Sequence, residues 1–467
     1  MGLLSLAPSL GLPEITMKKV GFISLGCPKN LVDSEVMMGL LDRNGWGITP
    51  HAEEADVLVV NTCAFIDNAK KESIDSILEM AQLKSKGRSK RLVVTGCLAE
   101  RYRQELRLEI PEVDVVLGVN ELESIVAACE AKPSNSSADD RSYPLYLYDE
   151  NTPRVQVTPR FTAYMKIAEG CDHVCSFCII PKLRGSFRSR PIASLVAEAT
   201  QHVARGVREL NLISQDTTHY GRDLGPGHNL PHLLSELAGV EGLRWIRFLY
   251  CYPSHLTQEL VEEASRHPNV CKYFDVPLQH VNERILQSMR RGGHRRMFTE
   301  LVSMIRNEIP DAALRTTFIV GYPGETDEQF QELCDFVEEI QFDHVGVFTY
   351  SDEENTRAFE LSDKVPSGIA VERRGVLMSL QRKIAHARNS GRIGQQVRVL
   401  LEGPSDETDL LLQGRMESQA PGIDGVVLIN DVAEGLNPEA GSFVQVEITE
   451  AHDYDLIGRM VSVASQS

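Results

Sequence analysis

Short β-branched runs alternate with segments of helical length through the N-terminal part of the chain. The strand-like runs cover residues 19–26, 55–61, 91–96 and 113–119, and helical patterns cover residues 31–44 and 66–86. Buried strands separated by helices pair in parallel through right-handed crossovers. The pattern therefore predicts an α/β fold for residues 17–130, with a doubly wound parallel sheet.

A second alternating region follows over residues 161–389. Its predicted strands begin near residues 163, 209, 244, 273, 313 and 344, and helical patterns separate them. Six such units are fewer than the eight that close a complete (β/α) barrel. This region is expected to be a partial, TIM-like barrel.

After residue 389 the pattern changes to short alternating strands. They cover residues 397–401, 410–414, 425–429 and 443–448, and turn pairs such as Gly403-Pro404 and Pro421-Gly422 separate them. This punctuation predicts a small all-β barrel over residues 390–467.

Two further segments lack a fold signal. Residues 131–160 are rich in proline and serine, which is typical of an interdomain connection. Residues 1–16 are expected to be a disordered leader rather than a signal peptide, because they carry no basic residue and Pro8 and Pro13 interrupt the apolar run. No apolar run approaches the roughly 20 residues that cross a bilayer. The sequence thus predicts a cytoplasmic protein with reduced cysteines and no membrane segment.

The charge balance is acidic, with 48 Lys or Arg against 66 Asp or Glu and a net charge of −18. Nucleic-acid binders usually carry a basic surface, so a direct nucleic-acid substrate is disfavoured and a basic protein partner is favoured.

A C-x3-C-x2-C run formed by Cys171, Cys175 and Cys178 follows the first predicted strand of the central region. Three thiolates this close can hold one metal centre. A zinc site needs a fourth ligand, and His173 inside the loop is badly placed to provide it. A 4Fe–4S cluster held by three cysteines leaves one iron open to a substrate or cofactor. Three structural cysteines, zinc and an iron–sulfur cluster are the alternatives at this point.

Cys27, Cys63 and Cys97 are far apart in the sequence, but each follows a predicted strand in the segments SLGC, VNTC and VTGC. The carboxyl ends of parallel strands share one edge of a sheet. These cysteines are therefore candidates for a second, auxiliary cluster, against the alternative of buried core residues. The remaining cysteines (Cys129, Cys251, Cys271 and Cys334) show no such arrangement and are expected in the core.

The loop with Phe177 before its last cysteine resembles that of the radical S-adenosylmethionine (SAM) enzymes. The resemblance implies SAM on the open iron of a 4Fe–4S cluster and a 5′-deoxyadenosyl radical that removes hydrogen from an unactivated carbon. We further expect Phe177 to contact the adenine of SAM, and Gln215 with Asp216 to meet its polar end. No other catalytic residue is assigned.

From about Lys18 to the C-terminus, the whole chain resembles the methylthiotransferase family, whose terminal barrel is the OB-like TRAM domain. The segments that carry the resemblance are SLGCPKNLVDSE (24–35), VNTCAFID (60–67), EGCDHVCSFCIIPKLRG (169–185), PLQHVNERILQSMRRG (277–292), FIVGYPGET (318–326) and DYDLIG (453–458). The resemblance implies two 4Fe–4S clusters, one on Cys171, Cys175 and Cys178 and one on Cys27, Cys63 and Cys97. Asn355 stands where the family usually has glycine, and asparagine also tolerates the left-handed conformation expected there.

Two branches of the family differ in substrate. One thiomethylates an adenosine of tRNA, and the other modifies the β-carbon of an aspartate in small-subunit ribosomal protein twelve. Pro28-Lys29-Asn30 and residues 277–280 resemble the ribosomal-protein branch. Residues 390–467 carry four Arg against thirteen Asp or Glu, a net charge of −9, which suits a basic ribosomal protein better than phosphates. The alternatives are tRNA methylthiolation and, more distantly, a non-enzymatic metal-binding factor in ribosome assembly. The sequence names neither a sulfur donor nor a reductase.

Overall fold

The computed structural model describes residues 17–130, 146–405 and 407–464 of the 467-residue chain. The leader expected at residues 1–16, and residues 131–145 of the expected connection, lie outside the described residues. No helix in the described parts of the chain is long and apolar enough to cross a membrane.

The N-terminal sheet has five strands, all parallel, in the order β2-β1-β3-β4-β5. The strands are β1 (Lys19–Ser24), β2 (Gly47–Thr49), β3 (Val57–Thr62), β4 (Arg91–Gly96) and β5 (Val115–Val116). The helices are α1 (Pro28–Arg43), α2 (Asp67–Lys86), α3 (Cys97–Arg101), α4 (Arg103–Glu109) and α5 (Ile125–Cys129). The edge strand β2 was not predicted, because three residues carry too little periodicity.

The central region has six parallel strands that follow one another in chain order around an open barrel. They are β6 (Thr162–Lys166), β9 (Glu209–Ile213), β10 (Trp245–Phe248), β11 (Tyr273–Asp275), β12 (Ala313–Val320) and β13 (His344–Thr349). Two three-stranded sheets, β10-β9-β6 and β11-β12-β13, meet where Ile246 bridges to Val270. The short strands β7 (Ala168–Glu169) and β8 (Arg188–Ser189) pair antiparallel at the two ends of a long connection. The sequence prediction of a partial (β/α) barrel is confirmed.

Helices alternate with the strands of this region, and the first of them packs Leu183 against the N-terminal core. They are α6 (Ile180–Arg184), α7 (Ile192–Ala204), α8 (Leu230–Ala238), α9 (Gln258–Arg266), α10 (Glu283–Ser288), α11 (Arg295–Glu308), α12 (Asp327–Ile340) and α13 (Ser367–Ser390). Short 3-10 helices span Ala52–Glu54, Leu122–Ser124, Thr217–His219, Pro253–His255 and Ala358–Glu360. Strand residues such as Leu212, Phe248 and Phe318 belong to one continuous apolar core with the helices. Asn355 adopts the expected left-handed conformation, with φ of 64°.

The C-terminal region is a closed five-stranded barrel in the order β14-β15-β16-β18-β17. Its strands are β14 (Gln396–Pro404), β15 (Leu412–Arg415), β16 (Val427–Val432), β17 (Phe443–Ala451) and β18 (Leu456–Val463). Strand β18 was not predicted, because Gly458 interrupts the apolar alternation on its inward face. A side chain there would come within 2.5 Å of the Val446 side chain.

The closed barrel is joined to the central region by buried ion pairs. Arg415 of β15 donates to Glu209 of β9 at 2.6 Å, and Arg247 of β10 lies 3.3 Å from the same carboxylate. The Tyr273 hydroxyl donates to Asp424 at 2.6 Å. Some of the acidic residues counted in the barrel therefore have partners within the protein.

The described part of the expected connection packs tightly. Arg154 donates to Glu35 of α1 at 2.8 Å and to Glu198 of α7 at 3.0 Å. Residues 146–160 thereby link the N-terminal sheet region to the central barrel.

Candidate active site

Cys27, Cys63 and Cys97 follow three adjacent strands of the N-terminal sheet. Thr62 at the end of β3 pairs with Gly96 at the end of β4, so Cys63 and Cys97 leave the sheet side by side. Cys27 follows β1, the other neighbour of β3, and precedes the first residue of α1. The structure thus brings the three residues together at the carboxyl edge, as the parallel fold predicts.

The three thiols lie close enough to influence one another. Burial, with smaller contributions from Cys27 and Cys63, raises the pKa of Cys97 to about 12, although Arg184 opposes the increase. Burial also raises the pKa of Cys63, and Cys27 adds to that increase. Thiolates are the ligand form, so a bound cationic centre would be needed to ionise these groups.

Gly26 makes the close approach of Cys63 possible. Its φ is +87°, and a Cβ at this position would lie 2.7 Å from Cys63 Cβ and 3.0 Å from Cys63 Sγ. A larger residue at position 26 would be strained in its backbone and would displace the thiol.

Arg184 of helix α6 connects the central barrel to these cysteines. Its Nη2 lies 3.7 Å from Cys97 Sγ and donates to Asn30 Oδ1 at 2.5 Å. Its Nη1 donates to Glu169 at 2.9 Å, and Nη2 lies 3.1 Å from Asp33. Lys166 bridges the same two carboxylates. A buried, fully paired ionic network therefore lies between the two regions.

Cys171, Cys175 and Cys178 lie on the loop between β7 and α6 and are each partly exposed. Burial raises the pKa of Cys171 to about 11 and that of Cys178 to about 12, and Cys175 adds to both increases. Arg291 Nη1 lies 3.8 Å from Cys175 Sγ. The loop thus presents three neighbouring thiols with one cation beside them.

Both cysteine sets are more widely spaced than the ligands of one zinc ion. Sulfur ligands of one zinc ion lie about 3.8 Å apart, given Zn–S bonds of about 2.3 Å. Among the described residues, the His, Cys, Asp and Glu ligand atoms come within 4.8 Å of one another in one group of three, which consists of His173, Asp216 and His255. Neither cysteine triplet is that compact. Three spread thiolates suit the larger 4Fe–4S core, which accepts three protein ligands.

Asp216 is the centre of a hydrogen-bonded group at the mouth of the central barrel. Its Oδ2 lies 2.6 Å from His173 Nε2 and 3.0 Å from His255 Nδ1. Although burial raises the pKa of this carboxyl, its hydrogen bonds with His173, His255 and Thr218 hold it well below the usual range. The side chain is 2% exposed. Its observed partners are protein groups, and the expected SAM contact stays a prediction.

His173 is also held by ring stacking. The Tyr252 ring lies 3.9 Å from it at an interplanar angle of 7°, and the Arg291 guanidinium lies 4.4 Å from the centroid of Tyr252. The cysteine loop is therefore fixed to the turn that follows β10.

The other two predicted cofactor contacts differ in their surroundings. Gln215 Nε2 donates to Glu169 at 2.8 Å, while its buried Oε1 has no partner among the described residues. That free acceptor suits a donor group of a ligand. Phe177 packs against a small apolar cluster that contains Ile285 and Tyr322. Both contacts with SAM stay predictions.

Sequence reasoning missed the cations beside the cysteines, namely Lys29, Arg184 and Arg291. Each lies inside a segment that carries the family resemblance. A basic residue close to a cysteine motif is the signal that points to Lys29 and Arg184, because thiolate ligands need nearby positive charge. Arg291 is 116 positions from Cys175, so no local signal marks it.

Comparison with known proteins divides the chain into three matches. Residues 19–118 match the model described as "Uncharacterized protein family UPF0004", residues 165–337 match the radical SAM superfamily, and residues 393–461 match the TRAM domain. These matches coincide with the sheet region, the partial barrel and the closed barrel.

Curated relatives match almost the whole chain. A protein of Koribacter versatilis is 52% identical over 96% of this chain and 97% of its own length. One of Solibacter usitatus is 55% identical over 95% of each chain. Both are named "Ribosomal protein uS12 methylthiotransferase RimO". Among solved structures, the radical SAM methyltransferase TsrM of Kitasatospora setae has a TM-score of 0.52 and 15% identity, over 71% of this chain and 73% of its own. That likeness supports the fold.

The partial barrel with its three-cysteine loop and the superfamily match define a radical SAM enzyme of the methylthiotransferase class. Membership of this superfamily implies SAM and a 4Fe–4S cluster as cofactors. Within this class, the identity over nearly the full chain to curated uS12 methylthiotransferases indicates one family. The chain belongs to the ribosomal protein uS12 methylthiotransferase RimO family.

Proposed function

We propose that the protein transfers a methylthio group to the β-carbon of an aspartate in ribosomal protein uS12. The observation that carries this proposal is the 52–55% identity to curated uS12 methylthiotransferases over nearly the full chain. The same relatives do not favour the tRNA alternative, and the radical SAM match argues against a non-enzymatic assembly factor.

The proposal includes two clusters. Cys171, Cys175 and Cys178 would hold the first, and Cys27, Cys63 and Cys97 would hold an auxiliary one at the sheet edge. When bound and reduced by an external electron donor, the first cluster with SAM would supply a 5′-deoxyadenosyl radical to take hydrogen from the target carbon, and the second would supply sulfur, with methyl from another SAM. An aspartate β-carbon has no proton acidic enough for a protein base, so radical chemistry is required.

The chain's own residues would position these groups and balance their charge. Arg184 beside Cys97 and Arg291 beside Cys175 each place a guanidinium near a thiol, which favours the thiolate. Asp216 and Tyr252 hold His173, and with it the cysteine loop. Gln215 offers a free carbonyl oxygen to the polar end of SAM, and Phe177 offers a ring to its adenine.

The acidic closed barrel supports a basic substrate. Asp424 and Glu402 are engaged by Arg315 and Arg415 within the protein. Asp431 is paired with Arg459 at 3.0 Å, and the exposed acidic residues that remain for a partner include Glu407, Asp409, Glu434, Glu439 and Glu450. A surface of this sign attracts a basic protein and repels the tRNA backbone.

We also propose a division into an N-terminal methylthiotransferase domain (17–130), a connection (131–160), a radical SAM core (161–389) and a TRAM domain (390–467), preceded by a leader (1–16). The end of α13 at Ser390 supports the last boundary. A ribosomal-protein substrate supports a cytoplasmic location.

An anaerobic assay tests the function. Reconstituted enzyme, SAM and a reductant are incubated with uS12 or with unmodified tRNA, and both products are analysed by mass spectrometry. We expect a methylthio group on one aspartate of uS12, together with 5′-deoxyadenosine. Cys175→Ala is expected to abolish both. A methylthio adenosine in the tRNA with unmodified uS12 contradicts the proposal.

A further inference from the structure

Lys29 is a buried lysine whose ammonium group has no hydrogen-bonded or ion-paired carboxylate among the described residues. It lies in the first turn of α1, two residues after Cys27, and is 7% exposed. Among the described residues, no hydrogen bond or ion pair involves its Nζ. Its contact is the ring of Tyr250, whose centroid lies 3.1 Å from Nζ. Buried charges in proteins are normally paired, so this arrangement calls for a missing partner.

The carboxylates near Lys29 are already engaged elsewhere. Glu169 and Asp275 both act electrostatically on Lys29. Glu169, however, is bound by Arg184 at 2.9 Å and by Lys166 at 2.7 Å. Asp275 is bound by Arg315 at 2.8 Å. The protein thus provides no free carboxylate for this ammonium group.

Lys29 contacts a turn that also packs against the loop of the second cysteine set. The turn after β10 carries both Tyr250 and Tyr252. Tyr250 faces Lys29 beside Cys27, whereas Tyr252 stacks on His173 between Cys171 and Cys175. A target carbon that receives chemistry from both sites must lie near this turn.

Tyr250 is held in a costly conformation. Its φ is 64°, in the left-handed region that bulky residues avoid, and its backbone N–H donates to Asp275 at 3.0 Å. Backbone strain of this kind persists where the surrounding structure fixes it, often at ligand sites. Lys29 is 7% exposed, so it keeps some access from solvent.

We propose that Lys29, backed by the ring of Tyr250, binds the side-chain carboxylate of the target residue. The ammonium group supplies the charge, and Tyr250 keeps it in place by a cation–π contact. Holding the carboxylate here places the adjacent β-carbon between the two cysteine sets. This inference rests on the proposed function and assigns the subsite that selects an acidic side chain.

The test is a double-mutant cycle that combines enzyme variants at Lys29 with substrate variants at the target aspartate. The binding of uS12 is measured by titration of four reconstituted enzymes: the wild type, Lys29→Gln, Lys29→Arg and Lys71→Met. The last is the control, because it alters an exposed lysine of α2. Each enzyme is titrated with uS12 that carries the target aspartate and with uS12 that carries asparagine in its place. We expect the wild type and Lys71→Met to bind the aspartate form about 10-fold more tightly or better. Lys29→Gln should bind both forms about equally, and Lys29→Arg should retain most of the preference.

Iron content is measured for every variant, so that a general loss of the site is recognised. If Lys29→Gln loses iron, Lys29→Arg provides the test, because it keeps the positive charge. If Lys29→Arg prefers the asparagine form of uS12, or shows no preference, the inference is contradicted. An unchanged aspartate preference in Lys29→Gln overturns it. If wild-type enzyme neither binds nor modifies uS12, the proposed function itself fails, which is a different result.

Discussion

The Nη2 atom of Arg184 lies 3.7 Å from the Sγ atom of Cys97, so a cation of the radical SAM core stands beside a thiol of the N-terminal sheet. The same guanidinium donates through Nη1 to the Glu169 carboxylate at 2.9 Å, and Glu169 is followed by Gly170 and then by the cysteine loop. One side chain therefore couples the positions of the two candidate cluster sites.

Arg184→Met is expected to impair the auxiliary site. It removes the cation beside Cys97 and leaves Asp33 and Glu169 with one fewer partner, at a cost of about 3–5 kcal/mol in the free energy of unfolding. Iron should fall from about eight atoms per chain towards about four. Lys182→Met changes an exposed residue of the same helix and serves as the control. Full iron content in Arg184→Met contradicts this role.

Gly26→Ala should lower iron binding, whereas Gly45→Ala should not. Both glycines have positive φ, +87° and +81°, so both substitutions carry similar backbone strain. An added Cβ at position 26 would lie 2.7 Å from Cys63 Cβ, but at position 45 nothing lies within 4 Å. Urea unfolding of both variants measures the cost of the backbone strain, and iron analysis measures the effect of displacing the Cys63 thiol. Equal iron content in the two would refute the steric explanation.

Cys97→Ala is expected to separate the two proposed clusters. The variant should retain about four irons per chain and still form 5′-deoxyadenosine, but transfer no methylthio group. Cys334→Ala alters a buried cysteine of α12 in the apolar core and should retain wild-type iron. Retention of about eight irons in Cys97→Ala removes that residue from the ligand set.

Glu209 should make the attachment of the closed barrel dependent on pH. Burial raises the pKa of this carboxyl, but Arg415 and Arg247 outweigh it and lower the pKa to about 2 from 4.5. Because the folded-state pKa is the lower one, the stabilisation is complete above the unfolded-state value and is lost as pH falls towards 2. Its size at neutral pH is about 3 kcal/mol.

Urea unfolding of the apo protein between neutral pH and about pH 4 measures the onset of that loss. Glu209→Gln should flatten the pH dependence and destabilise the protein by about 3–5 kcal/mol at neutral pH, because two buried arginines lose their carboxylate. Glu439→Gln, at an exposed position of the same barrel, is the control. Other buried carboxylates such as Asp216 also titrate at low pH, so a smaller pH dependence remains in the variant; one as steep as that of the wild type contradicts the assignment.

Much of the fold was predictable, because long apolar periodicities identify strands and helices. Strands β2 and β18 were missed for physical reasons. The first is too short to carry a pattern, and the second has Gly458 at an inward position that close packing against β17 requires.

The positions of the cysteines followed from topology, since the carboxyl ends of adjacent parallel strands share an edge. The positions of the cations beside these cysteines could not be predicted in this way. The contact of Arg184 with Cys97 spans 87 positions in the sequence and depends on how two regions pack. The stacking of Tyr252 on His173 is likewise set by tertiary contacts that no local pattern encodes.

The most direct test of the central claim is mass spectrometry of uS12 from a strain that lacks this gene. The parent strain should carry one methylthio group on an aspartate of uS12, and the deletion strain should lack it until the wild-type gene is restored. Cys175→Ala should fail to restore it. A methylthio group that persists on uS12 in the deletion strain contradicts the account.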